Sequence, residues 1–245
     1  MRACKNNKML IFLNTQTTGV EKEDKVCSIG LIAIDDDKVT LKYDLVNEGK
    51  KISSKASSVN NITNEMLKNK PKVKDSEVYN FLLENNLQTT TLVAHNANLE
   101  LEKLSAFGFN FKGEIIDTLR VTKHLIQECE EFSLQFLRYE LKLYKDEQKM
   151  ASAYKMPDKL SAYNASSNAL FIKLLYDYLL QMVTKEKMTN LSFENVLMQK
   201  FDFGKYKGKY IEEISMMDKG YLEWMLTNIL DLDEDLRYSI DYYLK

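Results

Sequence analysis

The chain has 245 residues, with 34 Lys and Arg against 36 Asp and Glu and a formal charge of −2; that balance excludes nucleic-acid binding by bulk positive charge, though not by a local patch. A hydrophobic content of 44%, only eight Gly and two Pro exclude collagen-like and low-complexity chains. The apolar runs are too short to span a bilayer, the first residues lack the apolar stretch of a signal peptide, and three unpaired-looking Cys argue against a disulfide framework or zinc knuckle, so a cytoplasmic location is expected.

Residues 9–13 are a continuous apolar run that predicts a buried strand. A second strand is predicted over 26–34, a hairpin turn at Asp35, Asp36 and Asp37, and a return strand over 39–46. A short helix follows over 62–69 with Thr63 as its N-cap, then a helix over 75–86 with Val78, Phe81 and Leu82 on one face. A strand over 91–96 runs into a turn. Next come a helix over 99–107, a short strand over 114–118, and helices over 119–126 and 134–141, the latter capped by Ser133. Residues 145–160 are weakly patterned and predict a loop, whereas 164–182 is a strong amphipathic helix. Strands first, then alternating helices and strands, indicate an α/β layer fold with a mixed sheet.

Asn14 and Gln16 lie two apart at the C-terminal end of the first strand, so both side chains leave on one face. The C-terminal ends of strands are where open α/β sheets bind ligands. Spacing alone is equally compatible with a polar strand end and turn.

The stretch 11–19, ending Asn14-Thr15-Gln16-Thr17-Thr18-Gly19, resembles the first motif, Phe-x-Asp-x-Glu-Thr-Thr-Gly, of the DEDDh (DnaQ-like) 3′–5′ exonuclease superfamily. That group contains the proofreading subunit of bacterial DNA polymerase III and exonuclease X. Further resemblances follow in order. Residues 59–67 are similar to the family's His-Gly-Ile-Thr-Asp-Glu-Met-Leu, residues 93–100 to Ala-His-Asn-Ala-x-Phe-Asp, and residues 163–169 to His-x-Ala-x-x-Asp-Ala, with landmarks at 116–119 and 133–134. The ordered set covers residues 9–182 and implies an RNase H-like exonuclease fold with a mixed central sheet flanked by helices.

The resemblance implies hydrolysis by two Mg²⁺ or Mn²⁺ ions held by four carboxylates, with a His as general base. At those catalytic positions this chain has Asn14, Gln16, Glu100 and Asn168, with Tyr163 in place of the His. One carboxylate remains where the family has four. Amide oxygens can donate to a divalent ion but cannot neutralise it. Tyr, with an ordinary pKa of about 10, is a poor base at neutral pH. The expectation is a natural pseudoenzyme with no metal at full occupancy, no cofactor, and no membrane association. It would retain binding of single-stranded nucleic acid or 3′ ends, or of a replication or repair partner. A weakly active exonuclease using Glu100, Asp117 and carbonyl ligands, and a homodimeric interaction scaffold, are the alternatives. Thr17, Thr18 and Gly19 resemble family residues that contact the terminal nucleotide through backbone groups, and His95 and Asn96 match the second motif. Taken alone, His95 reads as a structural hydrogen bond at the strand-to-helix turn, and Asp117 as a helix cap.

The domain expectation is an exonuclease-like unit over 1–183, a linker over 184–200, and a tail module over 201–245 that resembles the C-terminal module of exonuclease X-like proteins. From Met188 onward there are seven basic and eleven acidic residues. Residues 201–210 alternate strictly, which predicts a strand with Lys205, Lys207 and Lys209 on one face and Tyr206 and Tyr210 on the other; the lysines read equally as a nucleic-acid-binding face or as the solvated side of a hairpin strand whose tyrosines pack in the core. Tyr221 and Trp224 are expected in the core of the module.

Overall fold

The computed structural model describes residues 9–156, 160–201 and 203–245. Its centre is one five-stranded sheet in the order β3-β2-β1-β4-β5. β1 (Leu10–Thr17), β2 (Val26–Asp35) and β3 (Lys38–Leu45) are antiparallel neighbours, as the opening apolar runs predict. The β2–β3 hairpin turns at Asp36, whose φ of 51° is a left-handed value that Asp tolerates. β4 (Thr91–Ala94) and β5 (Glu114–Asp117) extend the sheet in parallel beyond β1.

β1 is buried on both faces, which explains its unbroken apolar start. Ile11 and Leu13 join one core, closed by α3 (Glu77–Glu84) and α4 (Ala97–Ser105) through Val78, Leu82 and Leu104. Before these helices lie the short α1 (Ser54–Asn60) and α2 (Asn64–Leu67), α2 capped by Thr63 as expected. Phe12 joins the opposite core. That face is covered by α5 (Thr118–Leu125), α6 (Leu134–Glu140), α7 (Tyr144–Ala153), α8 (Ala165–Leu180) and α9 (Lys185–Leu191). α8 crosses β1 and β2 directly. Gly30 permits this, because a Cβ there would lie 2.4 Å from the Ser166 backbone nitrogen. Gly30 is also the partner of Asn14 across the β1–β2 ladder, so the close approach brings the first turn of α8 over Asn14.

Three expectations change. The 145–160 loop contains α7, which is polar but anchored by a buried ion pair between Arg138 and Glu147 at 2.6 Å. The expected 184–200 linker contains α9, capped by Thr184, whose Met188 and Leu191 complete the α8-side core. The expected lysine strand is a tight turn closed by the bridge Lys200↔Tyr210 and by backbone bonds of Phe201 with Gly208 and Lys209, with left-handed Gly204 and Gly208. The two glycines break the extended run, and Lys205, Lys207 and Lys209 therefore do not form one strand face. Helices α10 (Ile211–Met217), α11 (Lys219–Asn228) and α12 (Glu234–Tyr243) surround a separate small core of Phe201, Ile211, Ile214, Leu222, Met225, Leu236 and Ile240.

Candidate active site

The site forms where β1 emerges from the core under the first turn of α8. Phe12, Asn14 and Gln16 share the α8-facing side of β1, and Asn168 descends from α8. Glu100 reaches the same point from the first turn of α4. The turn that launches α4 is held by Asp117, which accepts the Asn96 amide at 3.0 Å and the Ala97 amide at 2.9 Å. Asp117 also accepts the Leu119 amide at 2.9 Å, so it caps α5 as well. One carboxylate thereby sets the start of two helices, in agreement with its reading as a cap.

Asn14, Gln16, Glu100 and Asn168 are brought together, and their hydrogen bonds run in one direction. Arg138 Nη1 donates to Gln135 Oε1 at 2.6 Å. Gln135 Nε2 donates to Asn168 Oδ1 at 3.0 Å, and Asn168 Nδ2 donates to Asn14 Oδ1 at 3.0 Å. Asn14 Nδ2 then donates to Glu100 Oε1 at 2.9 Å. Gln16 Nε2 adds a second donor to Asn14 Oδ1 at 2.8 Å, and the Thr15 amide donates to Glu100 Oε2 at 2.9 Å. A guanidinium can only donate and an ionised carboxylate can only accept. Arg138, which donates whatever the pH, therefore fixes the orientation of Gln135, Asn168 and Asn14 in turn, and Glu100 closes the chain as its acceptor.

Glu100 is 4% exposed. Burial pushes its pKa up to about 7, against the opposing pull of the Thr15 and Asn14 donors; the charge on Asp117 pushes it further. Arg138 donates to both carboxylate oxygens of Glu147, from Nε at 2.6 Å and Nη2 at 2.7 Å, and lies 3.7 Å from the Phe171 ring centroid. These buried partners leave it no freedom to turn away from Gln135.

Two divalent ions do not fit this donor set. The cluster offers one carboxylate, and the oxygens of Asn14, Asn168 and Glu100 already accept N–H groups. Hard divalent ions need several oxygens facing a common point, most of them anionic. Both Asp117 oxygens are engaged by backbone amides. Among the described residues, no group of three or more His, Cys, Asp or Glu side chains is placed to hold a metal ion.

The remaining predicted residues are placed as follows. His95 Nδ1 lies 3.0 Å from Thr118 Oγ1 and Nε2 2.8 Å from the Phe132 carbonyl. It ties the β4 turn to the segment before α6, and burial holds its pKa below the ordinary value. Asn96 has a left-handed φ of 71° and gives the sharp entry into α4. The Thr17–Gly19 loop is braced from within: Thr17 donates to the Gly19 carbonyl at 2.6 Å and Thr18 to Asp24 at 2.7 Å. Lys50, 2.8 Å from Asp24, together with Thr18 holds that carboxyl down at about 2. Tyr163 occupies the turn before α8, exposed and with φ of 57°. Lys205, Lys207 and Lys209 are exposed on the distant-in-sequence turn of the tail. Of the two aromatics expected in the core of the module, Tyr221 packs against it beside Phe201, whereas Trp224 is 52% exposed.

Gln135, Arg138 and Glu147 belong to the site but carry no recognisable sequence signal. Gln135 is two residues past a helix cap, and the Arg138–Glu147 pair joins two helices across a turn. Gln135 and Arg138 are one helical turn apart on α6, but no helical period links Glu147 on α7 to them.

The sequence matches the family described as exonuclease over residues 11–149 and the family described as exodeoxyribonuclease X-like C-terminal over 201–229. Exodeoxyribonuclease 10 of Escherichia coli is 25% identical over 240 residues, covering 97% of this chain and 99% of that protein. The DNA polymerase III epsilon subunit of Treponema pallidum is 34% identical over 97 residues, 38% of this chain and 43% of that protein. Among solved structures, exonuclease X in complex with 5′-overhanging duplex DNA superposes with a TM-score of 0.59 at 22% identity, over 75% of this chain and 99% of that one.

Proposed function

This chain belongs to the exonuclease family, with its DnaQ-like, RNase H-like fold and an exonuclease X-like C-terminal module, and on that premise we propose that it has exchanged two-metal phosphodiester hydrolysis for the binding of nucleic-acid ends. The observation that carries this reading is the one-way hydrogen-bond chain from Arg138 to Glu100. Its amide nitrogens take the place of ions in joining β1, α4 and α8. A phosphodiester approaching the cluster meets one buried carboxylate rather than four, so repulsion is small without metal. The braced Thr17–Gly19 loop remains a rigid surface for a terminal nucleotide. Tyr163 stands at the position where the family has its general-base His, exposed in the turn before α8. A weak exonuclease using Glu100 and Asp117 would require Asp117 to release the amides that start α4 and α5.

The test compares the protein with a variant carrying Asn14→Asp, Gln16→Glu, Glu100→Asp, Asn168→Asp and Tyr163→His, on labelled single-stranded DNA and RNA with Mg²⁺ or Mn²⁺. The protein should bind both at low salt and degrade neither, while the variant should degrade them. Robust metal-dependent digestion by the unaltered protein overturns the proposal. Failure to bind any oligonucleotide assigns the fold to an interaction scaffold instead.

A further inference from the structure

The tail module anchors Tyr206 and Tyr221 against its core but leaves the Trp224 ring beside them 52% exposed. On α11, Tyr221 and Trp224 lie one turn apart with near-parallel rings, 24° between planes and 6.1 Å between centroids. Tyr206, from the turn before α10, meets Tyr221 edge-on at 5.1 Å. Lys205 Nζ lies 4.7 Å from the Tyr206 centroid and 5.6 Å from that of Tyr221.

Asp218 holds the set in place. It accepts Tyr206 Oη at 2.6 Å and Lys205 Nζ at 3.0 Å, and caps α11 through the Tyr221 amide at 3.3 Å. The rings are thus fixed before any ligand arrives, which lowers the ordering cost of binding. Exposed Lys207 and Lys209 extend the same turn, and Lys200 lies over the exposed Tyr210 ring at 4.7 Å.

We propose that the Tyr221–Trp224 face of the C-terminal module is a stacking platform for the bases of single-stranded nucleic acid, with the exposed Lys207 and Lys209 following the phosphates and Lys205 bracing the rings. An open indole face stacks any base without reading its sequence, and adjacent ammonium groups supply the complementary charge. This rests on the nucleic-acid-binding reading above and gives the module a contact independent of the amide cluster.

Trp224 is the single tryptophan of the chain, so its fluorescence reports on this face alone. An unlabelled oligothymidylate of about twelve nucleotides, added at low salt with chelator present, should quench it. The midpoint should match that from the anisotropy of a labelled copy, whereas an abasic oligomer of equal length should quench little. Trp224→Ala should weaken binding by between about five-fold and a hundred-fold, and Trp224→Phe should restore most of it. Both variants replace an exposed side chain, and circular dichroism checks that they fold. Anisotropic binding with unchanged fluorescence and undiminished affinity in Trp224→Ala overturns the platform but leaves end binding standing. Equal quenching by the abasic oligomer also overturns it. No binding by either measure overturns both. A concentration-dependent spectral shift without oligonucleotide, abolished in Trp224→Ala, assigns the face to contact between copies and overturns the platform too.

Discussion

Glu100 is the residue on which the cluster turns. Its pKa of about 7 in the fold stands above its ordinary 4.5, so the folded chain holds this proton more tightly than the unfolded one. The associated stability is complete below pH 4.5 and is lost as the pH rises through 7; there burial of the ion costs on the order of 3 kcal/mol. Glu100→Gln should therefore raise the melting temperature at pH 8 and leave it nearly unchanged at pH 5. Thermal unfolding across that range checks this, and a parallel pH profile for the two proteins would refute it. Asn14→Asp should act in the opposite sense. It removes the donor to Glu100 and sets two carboxylates where the side chains are now 2.9 Å apart. The result should be a loss of about 2–4 kcal/mol, partly recovered by millimolar Mn²⁺ if the restored acid binds it. The sequence exposed the positions of Asn14, Gln16, Glu100 and Asn168, because strand period and motif order locate them. It did not expose the direction of their hydrogen bonds. That direction depends on Arg138, which enters through Gln135 from another helix.

At the scale of elements, the site depends on how closely α8 crosses the sheet. Gly30→Ala would set a Cβ 2.4 Å from the Ser166 nitrogen and 2.5 Å from the Ala165 carbonyl carbon. Backbone cannot yield as a side-chain tip can, so α8 must lift. We expect a destabilisation of about 1–3 kcal/mol together with loss of the Asn168–Asn14 contact. A denaturant titration measures the first, and the amide resonances of Asn14 and Asn168 report the second. A stable variant with unmoved resonances would show that the crossing tolerates a methyl group. Strands and helices with strong apolar periods were legible in advance, as β1, β2, β3 and α8 show. α7 was not, because its anchor is the Arg138–Glu147 pair rather than an apolar stripe. The lysine turn departs from its sequence pattern for a related reason. Strict alternation imitates a strand, but Gly204 and Gly208 take left-handed backbone angles that fold the run back on itself.

For the whole molecule, the question is what the acidic tail does with its charge. Three of its acids are structural. Asp218 and Asp233 cap α11 and α12, and Asp235, 3% exposed, latches the module to the main sheet unit. Its two oxygens take both terminal nitrogens of Arg120, at 3.1 and 2.9 Å, and also the Val196 amide at 2.9 Å. Arg120 adds a bond to the Glu194 carbonyl at 2.6 Å. Of these three acids only Asp235 is buried, so the tail stays acidic outside and a nucleic-acid face at Trp224 depends on the lysines beside it rather than on the net charge. Arg120 is three residues beyond Asp117, the carboxylate that starts α4 and α5, so the latch and the candidate site share one helix start. Asp235→Ala would strand a half-buried guanidinium and orphan the Val196 amide, at a cost of about 2–4 kcal/mol. We expect the unaltered protein to unfold in one cooperative calorimetric transition. In Asp235→Ala the module should melt first as a separate, smaller transition, while the sheet unit keeps its own midpoint. Trp224 fluorescence would follow the early step and far-ultraviolet dichroism the later one. If both probes still coincide at the original temperature, the ion pair does not couple the two cores, and the coupling must lie in the segment between them, which Ser239 holds at Val196 and Met198 and Gln127 holds at Gln199.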